Sequence, residues 1–177
     1  MKKINLSILA LITIALGCKT DKTTEKEPLK NLKIDFEAKS NSTVSGYATF
    51  TEEKGKVTFT AKISGLKPGI HAIHLHEKSD CSAADGSSAG GHWNPTFKKH
   101  GKWGEGEYHK GDIGNFTADD KGNGTLTFTT DEWCIGCGDE TKDILGKGLI
   151  VHEGSDDFVS QPAGNAGARV ACSGVVR

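Results

Sequence analysis

Helical patterning is missing from this chain of 177 residues. No stretch spaces its apolar residues at intervals of three and four, no segment repeats, and no block is of low complexity. An excess of charge of one sign is missing too. The formal net charge is -1 and no basic run forms a binding arm, so nothing supports a nucleic-acid partner. Proline is scarce, with 4 residues, against 23 glycines. No apolar run at the N-terminus is long enough to cross a bilayer. What is left is one domain's worth of chain with alternating apolar residues, many glycines and long loops, which predicts an all-β domain.

The N-terminus is a targeting segment. A basic "MKK" precedes the apolar "INLSILALITIALG", and the run ends at "ALGC". This resembles a bacterial lipoprotein signal, in which residues 1–17 are removed and Cys18 becomes the lipidated terminus. No A-x-A cleavage site competes, although Ala15 stands where such signals often carry Leu. An ordinary secretory peptide is the alternative, and either one exports the protein. The expected location is the bacterial cell envelope, periplasmic or tethered to the outer membrane through the N-terminal lipid. Residues 18–30 are charged and Thr-rich without apolar periodicity, and are expected to be a flexible tether to a domain at 31–177. Export places the remaining cysteines, Cys81, Cys134, Cys137 and Cys172, where they can pair.

From residue 32 the period changes to two. Leu32, Ile34, Phe36 and Ala38 share one side, as do Val57, Phe59, Ala61 and Ile63, and further on Leu126 and Phe128. Turn residues separate these runs at "KSNSTVSG" and "TEEKGK". Short antiparallel strands of this kind build a β-sandwich or barrel. Two long segments, about 77–112 and about 153–168, interrupt it, and loops of that length are usually functional.

Histidines are placed where chemistry needs them. In "HAIHLH" the strand period puts His74 and His76 on one face and Ile73 and Leu75 on the other. Two adjacent imidazoles make half of a metal site, or a surface pair. In "LIVHE", His152 shares a face with Ile150, opposite Leu149 and Val151. The loop "HWNPTFKKHGKWGEGEYHKGD" supplies His92, His100, His109 and Asp112, three nitrogens and one oxygen. That set suits a closed tetrahedral zinc site, which would tie down a loop with no core of its own. A solvated, His-rich loop is the alternative.

Taken together, "GIHAIHLH", "GGHWNP", the spacings from His92 to Asp112, "GKGLIVHE" and "GNAGARVAC" resemble the copper/zinc superoxide dismutase family, in order, from about residue 32 to the end of the chain. The resemblance implies a Greek-key β-sandwich or flattened barrel with two long functional loops, an architecture known to hold this chemistry. It implies copper bound by His74, His76, His92 and His152, and zinc bound by His92, His100, His109 and Asp112, with His92 shared. It implies a buried, hydrogen-bonded His71 that is not a ligand, and an Asp156 bracing one ligand histidine of each metal. It also implies a Cys81–Cys172 disulfide and Arg169 beside the copper. The substrate would be superoxide, a small anion, turned into dioxygen and hydrogen peroxide, with His92 and Arg169 as the catalytic side chains. A homodimer is left open.

Cys134 and Cys137 lie outside the family pattern. Their C-x-x-C has no βαβ setting, so a thioredoxin-like role is weak. A local disulfide, free or intermolecular thiols and an extra metal site remain. The loop after His152 lacks the Lys- and Glu-rich character of many relatives, so charge guidance of the anion is expected to be weaker or to come from Lys147 or residues 98–110. Trp93 and Trp103 are expected to pack near the metal loop, and Trp133 to do the same or to lie on a subunit surface. A non-enzymatic buffer for copper or zinc is the competing function, and Arg169 speaks against it. A redox-inert descendant should have lost ligands, and a copper-only variant should lack the zinc set. Neither is so.

Overall fold

The computed structural model of the protein describes residues 30–177. The expected signal peptide, Cys18 and the expected tether as far as residue 29 lie outside the described residues. Nine antiparallel strands follow: β1 (Lys30–Asp35), β2 (Glu37–Ala38), β3 (Ser45–Glu53), β4 (Lys56–Ser64), β5 (Gly69–His76), β6 (Gly114–Ala118), β7 (Gly124–Thr130), β8 (Gly148–His152) and β9 (Arg169–Gly174). The only helix among the described residues is a single 3₁₀ turn at Ser87–Ala89. The first strand therefore already begins at Lys30, whose ammonium lies 3.2 Å from Glu52.

The strand order is β1-β3-β4-β7-β6-β5-β8-β9-β2. Its two ends belong to one continuous stretch of chain. Lys30–Asp35 pairs with β3, and Glu37 and Ala38 pair with Cys172 and Ala171 of β9. Phe36 sits between the two halves, buried, and donates its N–H to the Gly46 carbonyl at 2.9 Å. One broken strand thus joins both edges of the sheet and nearly closes it into a barrel, which leaves little free edge. The break also explains the one misplaced residue of the first apolar face: Ala38 lies on the short β2 and is exposed. Two connections skip over neighbours, β4 to β5 and β7 to β8, and these make the Greek key. The second is the segment 131–147, a third long loop that the apolar period alone did not single out.

The tripeptide Thr-Phe-Thr occurs in three paired strands and shows why they form. Phe50 and Phe59 point inward and are fully buried, and Phe128 packs against the same cluster. The threonines point outward in two rows, Thr49–Thr60–Thr127 and Thr51–Thr58–Thr129, with hydroxyls 3.1 and 3.2 Å apart at Thr58–Thr129 and Thr60–Thr127. β-Branched residues on the wet face and aromatics on the dry one suit a pleated, half-buried sheet. Lys54 and Gly55, both at positive φ, close the β3–β4 hairpin in two residues.

Trp133 plugs one end of the barrel. It is 1% exposed, lies between Phe50, Phe59, Phe128 and Trp103, and donates its indole N–H to the Lys110 carbonyl at 2.9 Å. It is not part of any subunit surface, because its burial is internal. Trp93 is buried as well, with the Lys147 ammonium 5.3 Å above its ring.

Candidate metal centre

The centre lies outside the barrel wall, on the face of β5 and β8 opposite the core. Ile73, Leu75, Leu149 and Val151 enter the main core, and this alternation drives His74, His76 and His152 to the other side. That side would be solvent on a bare barrel. Here the loops 77–113 and 153–168 cover it, so His74 and His76 are 0% and 1% exposed. The first loop is stitched down by backbone. Trp93 N–H donates to the Leu75 carbonyl at 2.8 Å, Gly111 N–H to the Trp93 carbonyl at 3.0 Å, and Leu75 N–H to the Gly111 carbonyl at 2.9 Å. Only glycine fits position 111, since a Cβ there would collide with the Leu75 carbonyl oxygen. His92 follows from this docking and bridges to His76.

Six imidazoles converge. The ring of His92 lies 4.1 Å from His74 and 5.0 Å from His76, centroid to centroid, and 5.3 and 5.7 Å from His100 and His109 on its other side. Ligand-type atoms gather into two sets, His74–His76–His92–His152 and His92–His100–His109–Asp112, each within 4.8 Å. His92 belongs to both.

One nitrogen of each ring is occupied and the other is bare. His74 Nε2 pairs with Asp156 at 2.9 Å, and His76 Nδ1 donates to the Gly90 carbonyl at 2.9 Å. His152 Nδ1 donates to the Gly167 carbonyl at 3.3 Å, His100 Nε2 pairs with Asp156 at 3.0 Å, and His109 Nε2 donates to the Lys98 carbonyl at 3.1 Å. The opposite nitrogens, His74 Nδ1, His76 Nε2, His152 Nε2, His100 Nδ1 and His109 Nδ1, together with His92 Nε2, are buried without a hydrogen-bond partner. A buried polar atom left unpaired costs about 1–3 kcal/mol. Those of His74, His76, His92 and His152 face one common point, and those of His100 and His109 face another beside the Asp112 carboxylate; both arrangements fit bound metal. Their outer partners fix the tautomers.

Asp112 is the other hub. Its carboxylate accepts from His92 Nδ1 at 2.8 Å, from the His109 backbone N–H at 2.8 Å and from the Gly101 N–H at 3.1 Å, and lies 3.0 Å from His100 Nδ1. Burial opposes its charge, but these contacts, beginning with His100, hold its carboxyl far below the usual carboxylate range. Burial lowers His92 to about 4, against the raising effect of Asp112. Burial also lowers His76 and His152 well below the ordinary histidine value, helped by the neighbouring rings of His92 and His74 respectively. His100 goes the other way. Burial opposes its charge, yet the close Asp112 carboxylate and the bond to Asp156 together push it up to about 9. Without metal, His76, His92 and His152 thus favour the neutral ring, while His100 holds its proton between two carboxylates.

Around these lie the residues named from the sequence. His71 is buried and not in either set. Its Nδ1 lies 2.9 Å from the His152 carbonyl and its Nε2 2.7 Å from the Lys67 carbonyl. Arg169 starts β9 and donates to the carbonyls of Gly86 and Gly90, both at 2.8 Å. Gly90 therefore holds Arg169 and His76 on one oxygen. Cys81 is bonded to Cys172, across 91 positions, and Cys134 to Cys137. Asp143, near the second bond, accepts from the N–H groups of Gly136, Gly138 and Leu145 and shapes that loop. Sequence reasoning missed Asn115, whose carboxamide grips the backbone of Asp156 with two 2.8 Å hydrogen bonds, and Gln161, whose carboxamide meets the backbone of His100. A lone Asn or Gln carries no signal of its own.

A near-closed Greek-key barrel with two ligand cages sharing one imidazole defines a two-metal β-barrel protein. A profile of the copper/zinc superoxide dismutase (SODC) family matches residues 44–176. A superoxide dismutase [Cu-Zn] 2 from Aquifex aeolicus (strain VF5) is 38% identical over 137 residues, covering 76% of this chain and 80% of its own. The crystal structure of the clock protein EA4 superposes with a TM-score of 0.71 at 33% identity, over 82% of this chain and 94% of that one. The chain belongs to the copper/zinc superoxide dismutase family. Membership makes it an oxidoreductase whose cofactors are copper and zinc.

Proposed function

We propose that the protein dismutates superoxide in the cell envelope, with copper held by His74 Nδ1, His76 Nε2, His92 Nε2 and His152 Nε2, and zinc by His92 Nδ1, His100 Nδ1, His109 Nδ1 and Asp112. The observation that carries this reading is the set of bare buried ring nitrogens, which sort into two cages with one common ring. When bound, copper supplies a one-electron couple that superoxide can both reduce and oxidise, whereas zinc supplies fixed charge only.

The side chains do the rest. His92 Nε2 has no protein partner, so a proton taken up there in one half of the cycle is free to pass to the peroxide product in the other. Its Nδ1 lies on the side of Asp112, 2.8 Å from that carboxylate in the metal-free arrangement, where zinc would be held between the two and would keep the ring from turning. Arg169 is held by two carbonyls, so its charge is fixed in place. A fixed guanidinium attracts and orients a small anion without having to reorganise first. Asp156 locks His74 and His100 to each other and so couples the two cages.

Export follows from residues 1–17, and tethering from lipid on Cys18. The two cystines of the domain suit an oxidising compartment. Loaded with both metals, the protein should consume superoxide, and His152→Ala should lose copper and activity while retaining most of the fold. Undiminished activity in that variant would overturn the copper assignment. Cys18→Ser should release the protein from membranes to the soluble envelope fraction; unchanged membrane association would overturn the tether.

A further inference from the structure

The loop 153–168 touches His100 in two independent ways. One is the ring contact with Asp156. The other is made by Gln161, whose carboxamide reads the backbone of the same residue. His100 N–H donates to Gln161 Oε1 at 2.9 Å, and Gln161 Nε2 donates to the His100 carbonyl at 2.9 Å. A planar carboxamide satisfying one N–H and one C=O of a single residue acts as a short stretch of paired strand. It restricts both backbone torsions of His100, where an Asp156 contact alone leaves the peptide free to rock. The loop approaches so closely at this point that only glycine is accommodated at 164. That residue has φ +70°, and a Cβ on it would collide with Asp156 Oδ1 and lie 2.7 Å from His100 Nε2.

We infer that Gln161 is a positioning residue for zinc: it fixes the peptide of His100 so that Nδ1 stays aimed at the zinc cage. This deepens the proposed function and rests on the zinc set named there. The chain has no strand at His100 to orient the residue, since the loop between β5 and β6 carries only the Ser87–Ala89 turn. Asn115 does the same for Asp156 with a matching pair of bonds, but from β6, on the outer face of the barrel wall beside Ala72. The ring contact between His100 and Asp156 is thus gripped by a carboxamide on each side, one from the barrel and one from the loop. His74, His76 and His152 stand on strands and need no such support.

The test measures zinc and copper affinities by chelator competition in the wild type, Gln161→Ala, Gln161→Met and His100→Ala, together with the visible spectrum of cobalt(II) placed in the zinc cage. Gln161→Met keeps the length and removes both hydrogen bonds. Both Gln161 variants should bind zinc about tenfold more weakly, with an altered cobalt spectrum. Copper affinity and metal-free melting temperature should stay close to wild type. Zinc affinity within about twofold of wild type in either variant overturns the inference, as does an equal loss of copper, which would mean a general structural role. If the wild type binds zinc no better than His100→Ala, the zinc set itself is wrong and the inference falls with it.

Discussion

His92 presents Nδ1 to the Asp112 carboxylate at 2.8 Å and leaves Nε2 buried and bare. His92 and His100, neighbours at Asp112, should respond to pH in opposite senses. In the metal-free protein His100 is raised to about 9, above its unfolded value of about 6.5. Its contribution to stability is fully present below about 6.5 and is lost as pH rises through 9. His92 is lowered to about 4, so the unfolded chain takes up its proton first and stability falls as pH drops from about 6.5 towards 4. Asp112 and Asp156, both depressed, add a further loss at lower pH. Melting temperatures of chelator-treated protein should peak near pH 6.5 and fall on both sides. A steady rise to pH 9 would contradict the cluster.

Proton competition for zinc follows from the same residue. His100 must lose a proton to offer Nδ1, so below about pH 9 zinc uptake should release one. Apparent zinc affinity should climb about tenfold per pH unit through the neutral range from this group alone. Titration of zinc into weakly buffered metal-free protein, with proton release recorded, checks it. Release of no proton at pH 7 would mean that His100 is already neutral.

Asp156 spans both cages, and its loss should be felt in both. Asp156→Ala removes the outer partner of His74 and of His100 at once, leaving two rings free to turn. Losses of about 10- to 100-fold are typical for such partners. Copper and zinc affinities should fall together, unlike the zinc-selective effect expected at Gln161. A change confined to one metal would show that Asp156 braces only one ring.

The residues that face inward were legible from the period of two, and so was the division of labour on β5 and β8. A strand puts alternate residues on opposite faces whatever the tertiary context, and so Ile73 and Leu75 had to part from His74 and His76. The ligand histidines of the loop were legible only as a spaced set of donors, and the resemblance to a family assigned them. The barrel's closure was not legible. It depends on Phe36 breaking one strand into two halves that pair with β3 and β9, a long-range event without a local signature. For that reason the period puts Ala38 on the wrong side, and it does not decide whether Trp133 lies in the core, because the crossover 131–147 that inserts it has no period. Asn115 and Gln161 act on backbone groups of distant residues, and no spacing in the chain announces such a contact.

The Cys81–Cys172 bond closes a loop across 91 positions and pins the segment that supplies the Gly86 and Gly90 carbonyls. Constraint of the unfolded chain is worth about 4.5 kcal/mol in the entropy model. Cys81→Ser should lower the melting temperature substantially, and should slow turnover as well because Arg169 loses its anchors. The Cys134–Cys137 bond closes a separation of only 3 and should matter far less to stability. Mass measurement of the denatured protein before and after reductant should show four added hydrogens. A gain of two would mean that only one of the bonds forms.

Arg169 offers the sharpest separation of guidance from metal binding. Its guanidinium touches no ligand ring directly; it shares the Gly90 carbonyl with His76 and otherwise holds Gly86. Arg169→Ala should therefore leave both metals bound, and copper and zinc contents after dialysis check that. Turnover should fall by about tenfold or more, since a fixed charge at a small-anion site raises encounter rates by that order. The residual rate should also depend less on salt than the wild-type rate, because part of the attracting field is gone. Arg169→Lys keeps the charge but cannot bridge two carbonyls with a planar fork, so it should restore the salt dependence without restoring the full rate. An Arg169→Ala protein as fast as wild type, with both metals retained, would remove Arg169 from the reaction altogether.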